Sequence, residues 1–249
     1  MAETLLLGVV GGMGPLATLD LLQKILASTP AQRDQDHLPV VTWNVPQIAD
    51  RQKALAGTGE SPLPQLLHAV EQLNRLAVSH IVMPCNTAHH WYAPLAAASR
   101  APILHIAQVT VEQVARLSPR PGCVGVIATH GTLAAGWYQQ RLAELGIESL
   151  LPDEQEMQQW FVPGCYAVKR GELQTAGRLL QQLADALLAR GAERLILACT
   201  EVPVALAAIQ SPAQLLSIDP TTVLAQTCVS LWQNSGHQFA DGFGHQTAP

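Results

Sequence analysis

Two cysteines in matching contexts are the residues of this chain best suited to chemistry. One stands in His80-Ile81-Val82-Met83-Pro84-Cys85-Asn86-Thr87. The other stands in Arg194-Leu195-Ile196-Leu197-Ala198-Cys199-Thr200-Glu201. Each follows an apolar run and precedes small polar residues. Such a run reads as a strand buried on both faces, the kind that builds parallel sheets. Each cysteine then falls at the carboxyl end of its strand, the edge where open α/β sheets bind ligands. A helix N-terminus following the strand lowers a thiol pKa, because its partial positive charge favours the thiolate. Asn86-Thr87 and Thr200-Glu201 add N–H groups and hydroxyls beside each sulfur. Two thiols placed in this way can serve as acid and base on opposite faces of one carbon.

The other cysteines have no such context. Cys123, Cys165 and Cys228 read as small buried hydrophobes. Five cysteines, an odd number without close pairing, argue against a disulfide framework and for a cytoplasmic protein with reduced thiols. Cys85, His89 and His90 lie close in sequence, but no Cys-x-x-Cys or His-Glu-x-x-His accompanies them, so no metal site is expected. His89, at a helix start, reads as an orienting group or a satisfied polar residue. A redox couple is disfavoured, since Cys85 and Cys199 belong to separate halves and no resolving cysteine is adjacent in sequence.

The elements that position these residues follow from periodicity. Leu5 to Val10 forms a first strand, ended by Gly11-Gly12-Met13-Gly14-Pro15. A helix starts near Ala17 or Thr18, with Leu19, Leu21, Leu22, Ile25 and Leu26 at helical spacing. Gly12-x-Gly14-x-x-Ala17 fits a loose dinucleotide fingerprint, but the next strand, Pro39 to Val45, ends without the acidic residue that holds a ribose. A tight turn and a carboxylate-binding loop remain open for it. Arg51, after the second strand, is either a solvated helix-start residue or a guanidinium reaching the strand-end cleft, where it suits a carboxylate. A helix spans Leu63 to Val78, the first cysteine strand follows, another helix opens at Ala88, and Ala101 to Ile106 is a short fourth strand. After Pro119-Arg120-Pro121-Gly122 the pattern restarts with a strand from Cys123, a small-residue turn through Thr129, and a helix through Trp137 to Leu145. Gly146 to Leu151 is a strand, Gln155 to Ala167 is irregular or helical, and Leu173 to Arg190 is a helix with Gly191 as its C-cap. Ser217 to Pro220 is a last strand and Thr221 to Trp232 a final helix. Residues beyond about Ser235 lack periodicity.

The two halves align. Gly8-Val9-Val10 matches Gly125-Val126-Ile127, and Cys85 matches Cys199, at offsets of 117 (125 − 8) and 114 (199 − 85). The expected fold is α/β: two similar domains, each a parallel four-stranded sheet flanked by helices. A pseudo-two-fold axis relates them, with the site in the cleft between. Residues 1–108 form the first, completed by the helix over 221–235, and residues 109–220 form the second. Apolar residues make up 48% of the 249 and charged residues 13%, enough for a sizeable core. A net charge of −5 without a Lys/Arg run argues against nucleic acid as a partner. Leu5-Leu6-Leu7 is too short to cross a membrane, and neither a basic segment before it nor a cleavage site after it marks a leader.

Taken together, several motifs resemble the aspartate/glutamate racemase family. They are Gly11-Gly12-Met13-Gly14-Pro15-Leu16-Ala17-Thr18, Asp50-Arg51, Pro84-Cys85-Asn86-Thr87-Ala88-His89, Ala128-Thr129-His130-Gly131-Thr132, Val168-Lys169-x-Gly171 and Ala198-Cys199-Thr200-Glu201. The resemblance runs from the N-terminus to about Asp219. It implies a cofactor-independent racemase, usually a homodimer, acting on a small acidic amino acid, with no membrane or nucleic-acid partner. It implies Cys85 and Cys199 as the paired acid/base groups, and Arg51 and Lys169 as holders of substrate carboxylates. It implies Met13, Asn86, Thr87, Thr129 and Thr200 as further residues lining the pocket. Keeping both cysteines implies two-way racemisation. Trp160 to Tyr166 matches nothing in the family pattern. A maleate isomerase-like enzyme, a racemase of another substrate and a non-catalytic binder of acidic amino acids are the rival readings.

Overall fold

A computed structural model describes residues 5–235. β1 (Leu7–Gly11) is buried throughout, as its unbroken apolar run requires. It pairs in parallel with β2 (Val40–Asn44) on one side and β3 (His80–Val82) on the other. The fourth position of this sheet is held by a single parallel bridge between Ile81 and Ile103. Ile81 N–H donates to Pro102 O, and Leu104 N–H to Ile81 O, both at 2.9 Å. The chain then turns into a helix at Ile106, so the ladder extends no further.

The helices before the second sheet are α1 (Pro15–Ser28), α2 (Arg51–Leu55), α3 (Leu63–Arg75), α4 (Tyr92–Ala98) and α5 (Ile106–Ala115), the last of which passes into the second half, packing Ala107, Val111 and Val114 with its core. A 3₁₀ turn over Thr87–Trp91 leads into α4. α1 begins at Pro15, two or three residues before the start expected from the sequence. Proline suits the first helical position, where its missing N–H has no partner to lose. α3 buries Leu66, Ala69, Val70 and Leu73, which lie three and four apart on one face. Full burial of a leucine contributes about 1.5–3 kcal/mol, so this stripe fixes the helix against the sheet.

The second half repeats the plan. In order come β4 (Cys123–Ala128), α6 (His130–Ala135), α7 (Trp137–Glu144), β5 (Glu148–Leu150), α8 (Glu154–Glu156), α9 (Val162–Lys169), α10 (Leu173–Ala189), β6 (Arg194–Ala198), α11 (Glu201–Ala208), β7 (Ser217–Ile218) and α12 (Pro220–Asn234). The sheet order is β5-β4-β6-β7, all parallel, against β2-β1-β3 and a bridge in the first half. The same strand succession therefore occurs twice, with Cys85 past β3 and Cys199 past β6.

The segment Gln155 to Ala167 is helical. Between α8 and α9 it widens into a π-type turn over Met157–Phe161. Pro163 follows at once. It has no N–H to donate, and the ladder loosens over the turn before it. α12 returns to the first half, where Leu224, Ala225, Cys228, Val229 and Trp232 pack with Leu5, Leu7, Leu21 and Ile25. The aperiodic tail beyond Ser235 lies outside the described residues. Among the described residues, no helix is long and apolar enough to cross a membrane.

Candidate active site

The carboxyl ends of the two sheets face one cavity of about 90 Å³. All nine residues singled out in the sequence line it: Met13, Arg51, Cys85, Asn86, Thr87, Thr129, Lys169, Cys199 and Thr200. The glycine turn delivers Met13. Gly12 has φ +95, and a Cβ there would lie 2.3 Å from the Val45 carbonyl oxygen, so only glycine fits. Its N–H donates to Thr18 Oγ1 at 2.9 Å, closing the turn on α1.

Cys85 is buried and held from behind by His89. Nδ1 of His89 lies 2.9 Å from Cys85 O, while Ile106 N–H reaches Nε2 at 3.3 Å. The ring must therefore donate from Nδ1 and accept at Nε2, an assignment made from the bonding pattern. Burial pulls its pKa down to about 4, so it is neutral and orients the Cys85 loop on the start of α5. Burial also pushes the Cys85 thiol up, and the nearby Arg51 guanidinium draws it partly back down.

Cys199 has different neighbours. Its sulfur lies 3.7 Å from that of Cys165, and its thiol donates to Glu201 Oε2 at 3.1 Å. Contact with Cys165, burial and the Glu201 carboxylate all push its pKa well up. Glu201 Oε2 also accepts from the Thr200 hydroxyl at 3.2 Å, and Oε1 lies 3.9 Å from Lys169 Nζ. The two thiols thus sit in unequal electrostatics, Cys85 beside a cation and Cys199 beside an anion.

Hydroxyls and amides join the halves across the cleft floor. Thr87 Oγ1 meets Thr129 Oγ1 at 2.9 Å, Thr132 Oγ1 at 3.3 Å and Gln52 Nε2 at 3.1 Å. The hydroxyl of Tyr138, a fully buried residue of α7, donates to Asn86 Oδ1 at 2.5 Å. Two buried donors on cleft-lining residues meet no partner among the described residues: Arg51 Nε and Asn86 Nδ2. Arg51 Nη1 is used locally, donating to Ile48 O and Ala49 O at 3.1 and 3.0 Å, which fixes the guanidinium plane. Unpaired buried donors are costly, and a bound acceptor would satisfy them.

Cys165 is buried in the apolar core of the second half, as its sequence reading has it, but it also lines the cleft and touches Cys199. Its spacing to Lys169, four residues on along α9, places both on one helix face, and that was the available signal. Glu201, Gln52 and Tyr138 were also missed. Tyr138 belongs to the other half from Asn86, and no local pattern reports such a pair. A second cavity, of about 470 Å³, shares Arg51, Lys169, Thr200 and Glu201 with the first and is otherwise lined largely by Pro15, Leu16, Ala17, Val168 and Val204. No group of three or more His, Cys, Asp or Glu among the described residues is arranged to hold a metal ion.

This repeated α/β plan with a shared cleft agrees with the family comparison: residues 10–228 match the Asp/Glu/hydantoin racemase model, and the chain belongs to that family. The aspartate racemase of Picrophilus torridus superposes with a TM-score of 0.81 at 26% identity, over 92% of this chain and 94% of that one. The protein described as broad specificity amino-acid racemase RacX of Bacillus subtilis is 26% identical over 91% of this chain and 98% of its own length. Glutamate racemase of Campylobacter jejuni shares the fold, with a TM-score of 0.62 at 18% identity over 92% of this chain and 85% of that one.

Proposed function

We propose that this protein interconverts the L and D forms of an acidic amino acid, aspartate or glutamate, without a cofactor. Cys85 and Cys199 transfer the proton. One observation carries the reading: two cysteines at equivalent strand ends of the repeated sheets line one small cleft that also holds two cations and two unpaired donors. Residues 1–108 with α12, and residues 109–220, are the two units that bring them together. The reading includes a homodimer in a reducing cytoplasm. The names of the Picrophilus and Bacillus relatives support amino-acid racemisation.

Racemisation needs a base on one face of the α-carbon and an acid on the other. Arg51 favours the thiolate of Cys85, while Glu201 disfavours that of Cys199. In one direction one thiol enters as thiolate and removes the α-proton while the other delivers a proton to the far face. The reverse reaction swaps the states, so the pair titrates jointly. The α-proton is far less acidic than a thiol, and the developing carbanion must be stabilised by nearby cations and donors. Arg51, Lys169, Asn86 Nδ2 and the Thr87, Thr129 and Thr200 positions are the groups for this. Met13, a buried residue of the lining, adds an apolar wall beside them.

The test is solvent-deuterium incorporation at Cα for L- and D-aspartate and glutamate. Exchange with inversion is expected, and Cys85→Ala and Cys199→Ala should each abolish racemisation. A single variant retaining one thiol can still exchange the α-proton of one enantiomer. Normal racemisation by both variants would sink the two-thiol mechanism, and binding without exchange would favour a non-catalytic binder. The second cavity favours an additional reading, a racemase of wider substrate range, since its apolar lining adjoins Arg51 and Lys169.

A further inference from the structure

Cys165 takes no part in the proton transfer above, yet its sulfur is the one in contact with Cys199. The two atoms are 3.7 Å apart, both side chains are buried, and both line the substrate cleft. A disulfide has its sulfurs about 2.05 Å apart, so less than about 2 Å of approach closes the bond. Glu201 Oε2, 3.1 Å from the Cys199 sulfur, is placed to accept a thiol proton. The remaining cysteines are elsewhere. Cys85 belongs to the other half, and Cys228 lies on α12, buried in the core of that half. Cys123 starts β4, at the end of the sheet opposite Cys199.

We propose that Cys165 and Cys199 form a dithiol modification site. A hydroperoxide closes it to a disulfide, which removes Cys199 from the proton transfer, and a thiol reductant reopens it. In the first step Cys199 gives its proton to Glu201 and its thiolate attacks a peroxide oxygen. The S–O bond forms as the O–O bond breaks, and hydroxide leaves to be protonated to water. The product is the Cys199 sulfenic acid. In the second step the Cys165 sulfur attacks the Cys199 sulfur. The S–S bond forms, the S–O bond breaks, and the oxygen leaves as water with the proton from Cys165. Two thiols lose two electrons in all, and one hydrogen peroxide becomes two waters. The sequence of events follows the ordinary ladder in which a nearby second thiol intercepts a sulfenic acid before further oxidation.

The activity half of this inference rests on the racemase reading, whereas the chemistry of the pair does not. The full chain is titrated with hydrogen peroxide and digested without reduction. Peptide masses and racemisation are followed together in the parent and Cys165→Ser, each normalised to its own untreated rate, and peptide masses alone in Cys85→Ser. The expected result is a peptide pair linked between Cys165 and Cys199, with racemisation falling in step with the linked fraction and returning with dithiothreitol. Cys85→Ser should form the same link. Cys165→Ser should form none, and prolonged peroxide should inactivate it beyond rescue by dithiothreitol, as the unguarded sulfenic acid oxidises further. No link, a link between other cysteines, or a link without loss of racemisation overturns the proposal. If the untreated chain racemises nothing, the racemase reading fails by itself, and the linked peptides still decide whether the modification site exists.

Discussion

Replacing Tyr138 by phenylalanine tests a bond between the two halves. The ring is fully buried, and its hydroxyl donates to Asn86 Oδ1, on the residue immediately after Cys85. The substitution keeps the ring, so no cavity of consequence opens. It does remove the donor to a buried amide oxygen. Because Asn86 Nδ2 has no partner among the described residues, the amide would then be unpaired at both ends. A buried acceptor left without its donor costs about 1–3 kcal/mol. For a chain of this length a loss of about 2 kcal/mol lowers Tm by roughly 4–8 °C. Differential scanning calorimetry of the parent and Tyr138→Phe measures it. The same change frees the Asn86 amide to rotate, so kcat/KM should fall as well. Asn86→Leu combined with Tyr138→Phe should cost less than the sum of the two single changes, since both remove the same bond. A Tm within about 1 °C of the parent, or strict additivity in the double variant, would refute the assignment.

Other outcomes follow from the charges around the cleft. Arg51 draws the Cys85 pKa down, so Arg51→Gln should move the rising limb of the kcat/KM–pH profile to higher pH, besides weakening substrate binding. A profile unmoved by the change would remove Arg51 from the neighbourhood of the base. His89 is neutral in the fold with a pKa of about 4, against an ordinary value of 6.5. The unfolded chain therefore binds the extra proton first as pH falls, and stability is lost from about pH 6.5 downward. By pH 5 this one group removes about 2 kcal/mol. Chemical denaturation of His89→Gln at pH 7 and pH 5 should show a smaller acid loss than the parent; an equal loss would contradict a buried neutral ring.

The central strands β1, β4 and β6 were legible because they are buried almost throughout, which writes an apolar run into the sequence, whereas the edge strands β2 and β5 are only partly covered. The cleft was legible for a related reason: residues just past such runs gather at one edge. What the runs do not encode is pairing between halves. Tyr138 on α7 and Asn86 after β3 are 52 positions apart, and neither carries a local sign of the other. Cys165 sits inside a helix that passes through a π-type turn, and its apolar neighbours disguised a residue that faces the cleft. The helices at Pro15 and Pro220 begin one to three residues before the starts that periodicity gives, because a proline at the first helical position adds no apolar spacing to read. Ala101 to Ile106 has the composition of a strand, but it spends only one residue in register before becoming a helix.

The three threonine hydroxyls beneath the cleft, Thr87, Thr129 and Thr132, lie within 2.9–3.3 Å of one another. A hydroxyl both gives and receives, and between Thr87 and each of the others either oxygen can be the giver. Reversing the direction of those links moves hydrogens alone and leaves every heavier atom in place. A mirror-image pair of ligands asks a surface for opposite things at nearly the same point. A floor built from reversible hydroxyls can adjust to either hand without reshaping itself, while the fixed cations hold the carboxylates common to both.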